Sequence, residues 1–164
     1  MAGGGFDTQK KVKLWHQPIS KDVLKDIISY LQNNKIIFCI ESEHSIYMSQ
    51  PNLSPVYLNN VDTKNIRNFK GEEVLKFVGF AALNNMNEEV VDKHISAIRK
   101  LTNEINIIKF NYGGKCGFDI TSERSTKHTA VLELCKLNGL NPKEIAAIGD
   151  SYNDYPLLMA AGYK

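Results

Sequence analysis

The residues best suited to chemistry lie near the end of the chain, in IAAIGDSYNDYPLL, residues 145–158. Gly149 closes a short apolar run, Ile145 to Ile148, and three polar side chains follow at once: Asp150, Asn153 and Asp154. An apolar run without alternation reads as a parallel strand covered on both faces. Ligand sites in such sheets gather just beyond the carboxyl ends of strands, which is where Asp150 falls. A carboxylate there, with a second acid and an amide one turn later, suits an oxygen-loving cation such as Mg²⁺. That ion takes one or two carboxylates, waters and a phosphate oxygen. Upstream, Lys127 stands at the start of a predicted helix, where a cation works against the helix dipole. A fixed cation beside a phosphate and a carboxylate would recover that cost as charge stabilisation in a dry site. An acidic turn after a strand is by itself more often a solvated loop or a helix cap, so the weight rests on the combination.

The elements that must position these groups are legible from spacing. A first helix follows Pro18, with Ser20 as N-cap and Val23, Leu24, Ile27, Ile28 and Leu31 on one face, and Asn33-Asn34 stops it. A second starts at Asn87, with Glu88 and Glu89 in its first turn and Arg99-Lys100 in its last, both placed to suit the dipole. Its stripe is Val91, Ile95 and Ile98, with His94 on the edge as a boundary residue. A third runs from Thr126 to Asn138, turns Val131, Leu134 and Cys135 inward, and stops at Gly139. Strand-like runs cover 11–16, 35–40, 45–49, 75–82, 105–110 and 116–121, with a weaker one near Gly5. Gly113-Gly114 joins the last two runs as a hairpin. Residues 50–74 read as mostly loop.

This order predicts an α+β layer, a mainly antiparallel sheet with helices on one face, over residues 1–122. From residue 123 the pattern changes to helix, short apolar strand, polar turn and helix, half of a parallel α/β unit over 123–164.

Composition narrows the function classes. The chain has 164 residues, 43% hydrophobic and 23% charged, as in a soluble globular protein. A formal charge of +2 gives no reason to expect a nucleic-acid partner. No apolar stretch approaches the roughly 18 residues a membrane span needs, so no membrane partner is expected. Cys39, Cys116 and Cys135 are odd in number and sit in or beside apolar runs, which reads as buried thiols in a reducing, cytoplasmic setting. His16, His44, His94 and His128 are too scattered for a local metal motif.

STKHTAVLELCKLNGLNPKEIAAIGDSYNDYPLLMAAG, residues 125–162, resembles the third and fourth motifs of the haloacid dehalogenase (HAD) superfamily. It is most similar to the Cof-type phosphatases, which pair a lysine-led helix with a strand ending in G-D-x-x-N-D. The resemblance implies a phosphate-steadying role for Lys127 and Mg²⁺ binding by Asp150. It implies that Asn153 and Asp154 orient phosphate, metal and lysine, with Asp154 beside Asp150 at the metal. Residues 3–122 resemble, less specifically, the α+β cap of the C2 type that such phosphatases insert between their second and third motifs. The expected fold class is thus α/β: a C2-type α+β cap over 1–122 and a partial Rossmann-like HAD core over 123–164. His128 departs from the family, which usually has a small residue after the lysine.

The family's nucleophile is the first aspartate of a D-x-D motif, and here no two aspartates stand two residues apart. Ser42, at the end of IIFCIES, is a superficial candidate for the second motif and reads instead as an ordinary cap residue. The expectation is therefore a chain amounting to the cap plus motifs three and four only. It would belong to a Mg²⁺-dependent phosphohydrolase that acts on a small phosphorylated metabolite through an aspartyl-phosphate, and would be inactive alone. The alternative is a non-catalytic ligand- or protein-binding module derived from such a cap. An uncovered strand edge further predicts self-association or a second chain completing the core.

Overall fold

The apolar spacing of residues 21–33 produces a helix where it is expected. In the computed structural model, which describes residues 4–7, 9–10, 12–53, 62–80, 85–112, 115–150 and 154–164, helix α1 spans Lys21–Asn33 and buries Val23, Leu24, Ile27 and Leu31. Ser20 is its N-cap in extended conformation, without a side-chain cap bond. Helix α2, Glu88–Arg99, starts under a true cap: Asn87 accepts a hydrogen bond from the Val90 N–H at 2.9 Å. It buries Val91, Ile95 and Ile98.

A short hairpin of β1 (Gly4–Asp7) and β2 (Val12–His16) precedes α1, and the Asp7 carboxylate accepts from the N–H groups of Gln9 and Lys10 in its turn. The main sheet contains β3 (Phe38–Ser42), β4 (Ile46–Met48), β5 (Thr63–Asn65), β6 (Val74–Gly79), β7 (Ile105–Tyr112) and β8 (Lys115–Ser122), in the order β5-β4-β3-β6-β8-β7. Every neighbouring pair is antiparallel except β4 with β5. Strand β5 lies within the stretch read as loop. Three residues are too few to show alternation, and β4 recruits them by pairing. The Gly113-Gly114 turn lies outside the described residues.

Side-chain alternation splits the sheet into two faces. Phe38, Ile40, Phe77, Phe118 and Ile120 point to α1 and α2 and build the main core with Ile27, Leu31, Val91 and Ile98. At about 1.5–3 kcal/mol for each large apolar side chain buried, this face carries most of the stabilisation. The opposite face holds a smaller cluster of Ile37, Cys39, Met48, Val78 and Phe80, which among the described residues contains no helical one. This is the expected α/β class, with an antiparallel-dominated sheet and helices on one face.

Beyond β8, helix α3 (Lys127–Asn138), a 3-10 turn (Pro142–Glu144) and helix α4 (Tyr155–Ala160) gather around a third cluster of Val131, Cys135 and Ala160. Two sequence readings need correction here. Leu134 is 47% exposed, because the leucines of α3 are spread around the helix and its buried side chains are Val131 and Cys135. The run Ile145–Ile148 is extended but is not a covered strand. It makes one parallel bridge, Ala146 with Tyr163, and Ile148 is 95% exposed. Strand character and burial both require neighbours, and among the described residues only the segment around Tyr163 lies alongside.

Candidate functional site

Lys127 is held at the start of α3 by a reciprocal cap. The Thr126 hydroxyl accepts from the Thr129 N–H, and the Thr129 hydroxyl accepts from the Thr126 N–H, both at 3.1 Å. The Thr129 hydroxyl also donates to the Arg124 carbonyl at 2.6 Å. These bonds satisfy amide groups that a helix start leaves open and fix the direction in which residue 127 leaves the backbone. The far end of α3 closes on Gly139, which takes the left-handed conformation at φ 65°.

From that position the Lys127 ammonium contacts the Asp154 Oδ1 directly. Lys127 is about half exposed, whereas the Asp154 side chain is only 14% exposed, so the acid is the fixed partner and the lysine the one that reaches solvent. The second oxygen, Asp154 Oδ2, accepts from the Asp150 N–H at 3.3 Å. Asp154 thus ties the tip of the lysine to the backbone of the preceding acidic residue. Gly149 permits this closure, since a Cβ at residue 149 would occupy the space of the Asp154 Cβ. Asp154 is also the residue before α4, whose first turn contains Pro156, a placement suited to proline's fixed φ and missing N–H.

Lys127, Asp150 and Asp154 therefore come together, and Asn153 lies outside the described residues. Asp150 is exposed, and its carboxylate makes no bond among the described residues. This donor set fits Mg²⁺ in part. One free carboxylate at a solvent-facing turn is what an ion keeping several waters takes, while both oxygens of Asp154 are already engaged. No group of three or more His, Cys, Asp or Glu that could hold a metal occurs among the described residues.

Other sequence candidates have local roles. Ser42 donates its hydroxyl to the Ser45 carbonyl at 2.9 Å and accepts from the Ser45 N–H at 3.1 Å, which closes the β3–β4 turn. His94 joins α2 to α1 through a 2.9 Å bond between its Nδ1 and the Tyr30 hydroxyl, and burial lowers its pKa. The three cysteines are free and buried, and burial pushes the Cys39 thiol up to about 12. One cluster that the sequence reading missed lies on the second sheet face: Glu41, Lys76 and Asp119, from three adjacent strands. Its signal is charge at alternate positions in otherwise apolar strands, at Glu41 after Cys39 and at Lys76 before Val78. No helix among the described residues is long and apolar enough to cross a membrane.

The sequence matches the family of haloacid dehalogenase-like hydrolases over residues 2–164. A phosphoglycolate phosphatase of Methanopyrus kandleri is 42% identical over 45 residues, which is 27% of this chain and 19% of that protein. A haloacid dehalogenase-like hydrolase from Bacteroides thetaiotaomicron superposes with a TM-score of 0.73 at 17% identity, covering 96% of this chain and 59% of that one. One from B. subtilis gives a TM-score of 0.74 at 18% identity, covering 93% and 62%. The chain thus spans about three-fifths of the length of these solved structures and less than a fifth of the curated relative. These matches correct the expectation of a chain limited to a cap plus motifs three and four. The match begins at residue 2, and the α+β layer superposes along with the motif-bearing end, because the sheet and its two helices are themselves part of the shared fold. Nearly the whole chain, residues 2–164, belongs to the haloacid dehalogenase-like hydrolase family.

Proposed function

We propose that this chain serves Mg²⁺-dependent hydrolysis of a small phosphorylated metabolite, with Lys127 and Asp150 neutralising the phosphoryl group. The observation that carries this reading is the closure of Lys127 on Asp154, with Asp150 bound to the same carboxylate through its backbone. Phosphoryl transfer demands little covalent chemistry of the protein and much positioning of positive charge. A half-exposed lysine anchored by a nearly buried aspartate meets that demand, since its remaining N–H groups are free to turn to phosphate oxygens. Asp154 is then a positioning residue, Asn153 an amide for the same phosphate, and Asp150 the carboxylate offered to the cation. Bound Mg²⁺ would supply further charge neutralisation at the phosphate oxygens.

In this reading residues 1–122 form the substrate-specificity unit, and 123–164 carry the phosphate and metal groups. An aspartate carboxylate attacks the phosphorus, the metabolite's hydroxyl leaves, and water then hydrolyses the aspartyl-phosphate to release inorganic phosphate. The sequence holds no D-x-D pair, so this chain alone should not turn over a generic phosphate ester in Mg²⁺. The buried thiols suit a cytoplasmic setting, and the exposed apolar side chains Leu134, Leu137 and Ile148 favour association with a further copy or chain.

Titration with inorganic phosphate tests the reading. Lys127→Ala should weaken phosphate binding about ten-fold or more, equivalent to about 1.4 kcal/mol. Unchanged affinity would remove Lys127 from the site.

A further inference from the structure

The hairpin of β1 and β2 is a sheet of its own, and its attachment to the main sheet is electrostatic. Two paired strands by themselves are marginal in water. Trp15 packs over Gly5 across the pair, where a Cβ would collide with the indole. Neither Trp15 nor Leu14, which is 41% exposed, belongs to any of the three apolar clusters. Two polar contacts reach across instead. The Lys13 ammonium donates to Glu43 Oε2, and His16 Nε2 meets Glu73 Oε2, both at 2.7 Å. Glu43 follows β3 and Glu73 precedes β6, and the pairing of Ser42 with Val74 sets the two acids side by side at one end of the sheet.

The charge balance at this end turns on His16. Glu73 faces it from the segment before β6, and Glu43 from the β3–β4 turn, with Lys13 on its own strand. His44, in the same turn and 85% exposed, lies 4.0 Å from Glu43 Oε2. With His16 neutral, Glu43 and Glu73 share the one ammonium of Lys13. With His16 protonated, each carboxylate has its own cation. Imidazole is the side chain that changes charge between pH 5 and 8, whereas carboxylates and ammoniums keep theirs there. Exposed ion pairs are individually weak and screened by salt, so losing one of two loosens the attachment. Beyond His16 the Ile19 N–H donates to the Val74 carbonyl at 2.8 Å, which holds the start of α1 independently of the hairpin.

We propose that the β1–β2 hairpin is a pH- and salt-sensitive strap. Protonated His16 seats it on the sheet end through Glu73, and loss of that proton frees it, with the chain bending at Gln17 and Pro18. The seated state holds the proton, so seating is fullest at the acidic end of this range and is lost as pH rises.

Trp15 is the chain's single tryptophan and lies in the strap. Time-resolved fluorescence anisotropy of the full chain therefore reads the strap's motion directly. From about pH 5.5 to about pH 8 at low salt, the amplitude of the fast segmental decay should rise about two-fold or more. Adding about 0.5 M NaCl at the acidic end should raise it likewise. His16→Gln and Glu73→Gln should show the high amplitude at every pH, whereas Lys13→Met should raise the amplitude yet keep the pH step. A wild-type amplitude that is constant with pH would overturn the proposal. So would an undiminished pH step in Glu73→Gln, which keeps the imidazole beside Trp15 and so separates seating from any direct effect of its charge on the indole.

Discussion

Lys127 occupies the first turn of α3, where a cation meets the positive end of the dipole, and Asp154 compensates. The pair is half exposed on the lysine side, so its contribution to folding is small, about 0–1 kcal/mol by the measure of surface ion pairs. Asp154→Asn should therefore leave the urea midpoint nearly unchanged while weakening phosphate binding, because the freed lysine loses its direction. Gly149→Ala acts on the same contact by another route, since the added Cβ displaces Asp154. The motif letters made Lys127, Asp150 and Asp154 legible in sequence. The division of labour was not: which acid clamps the lysine and which stays free follows from the bond of the Asp150 N–H to Asp154 Oδ2, which residue types do not encode.

His94 offers a residue-scale prediction about pH. Burial lowers its folded pKa below 6.5, so the unfolded chain binds the proton more tightly. Stability is then fully present above 6.5 and is lost as pH falls through the folded value. Urea midpoints measured from pH 7.5 down to about 5 should fall in the wild type, and this component should vanish in His94→Gln, which keeps an acceptor for Tyr30.

At the scale of elements, capping residues were the most readable signals. Asn87 and Thr126 both cap through side-chain oxygens, as their residue types suggest. Gly139 stops α3 in a conformation that L residues adopt at a cost, and Gly139→Ala should destabilise the chain by about 1 kcal/mol, read as a lowered denaturation midpoint. Strands were less readable. The apolar letters of Ile145–Ile148 predict burial, yet Ile148 is almost wholly exposed. A strand is defined by what pairs with it, and a run of four residues carries no record of its partner. Strand β5 shows the converse, a polar TKN segment that is a strand because β4 lies beside it.

For the whole molecule, the three apolar clusters are unequal. Among the described residues the main core draws on α1, α2 and five strands, while the C-terminal cluster has three buried residues. Leu31→Ala, at a fully buried position, should cost about 2–5 kcal/mol. Amide exchange should be slowest in β3, β6 and β8 and faster in α3 and α4, where few apolar contacts resist local opening. Uniform protection across both regions would contradict this division. Sequence order alone gave the layer of sheet and helices, because its helices bury one face through regular spacing. It did not give the charged cluster of Glu41, Lys76 and Asp119, whose members come together only through strand register.

The central claim is that Lys127 and Asp150 form one phosphate and metal site. Its most direct test is the effect of Mg²⁺ on phosphate affinity, measured by isothermal titration of the full chain and of Asp150→Asn. The account predicts that Mg²⁺ strengthens phosphate binding to the wild type and leaves Asp150→Asn unaffected. Equal strengthening in both proteins, or none in either, would contradict it.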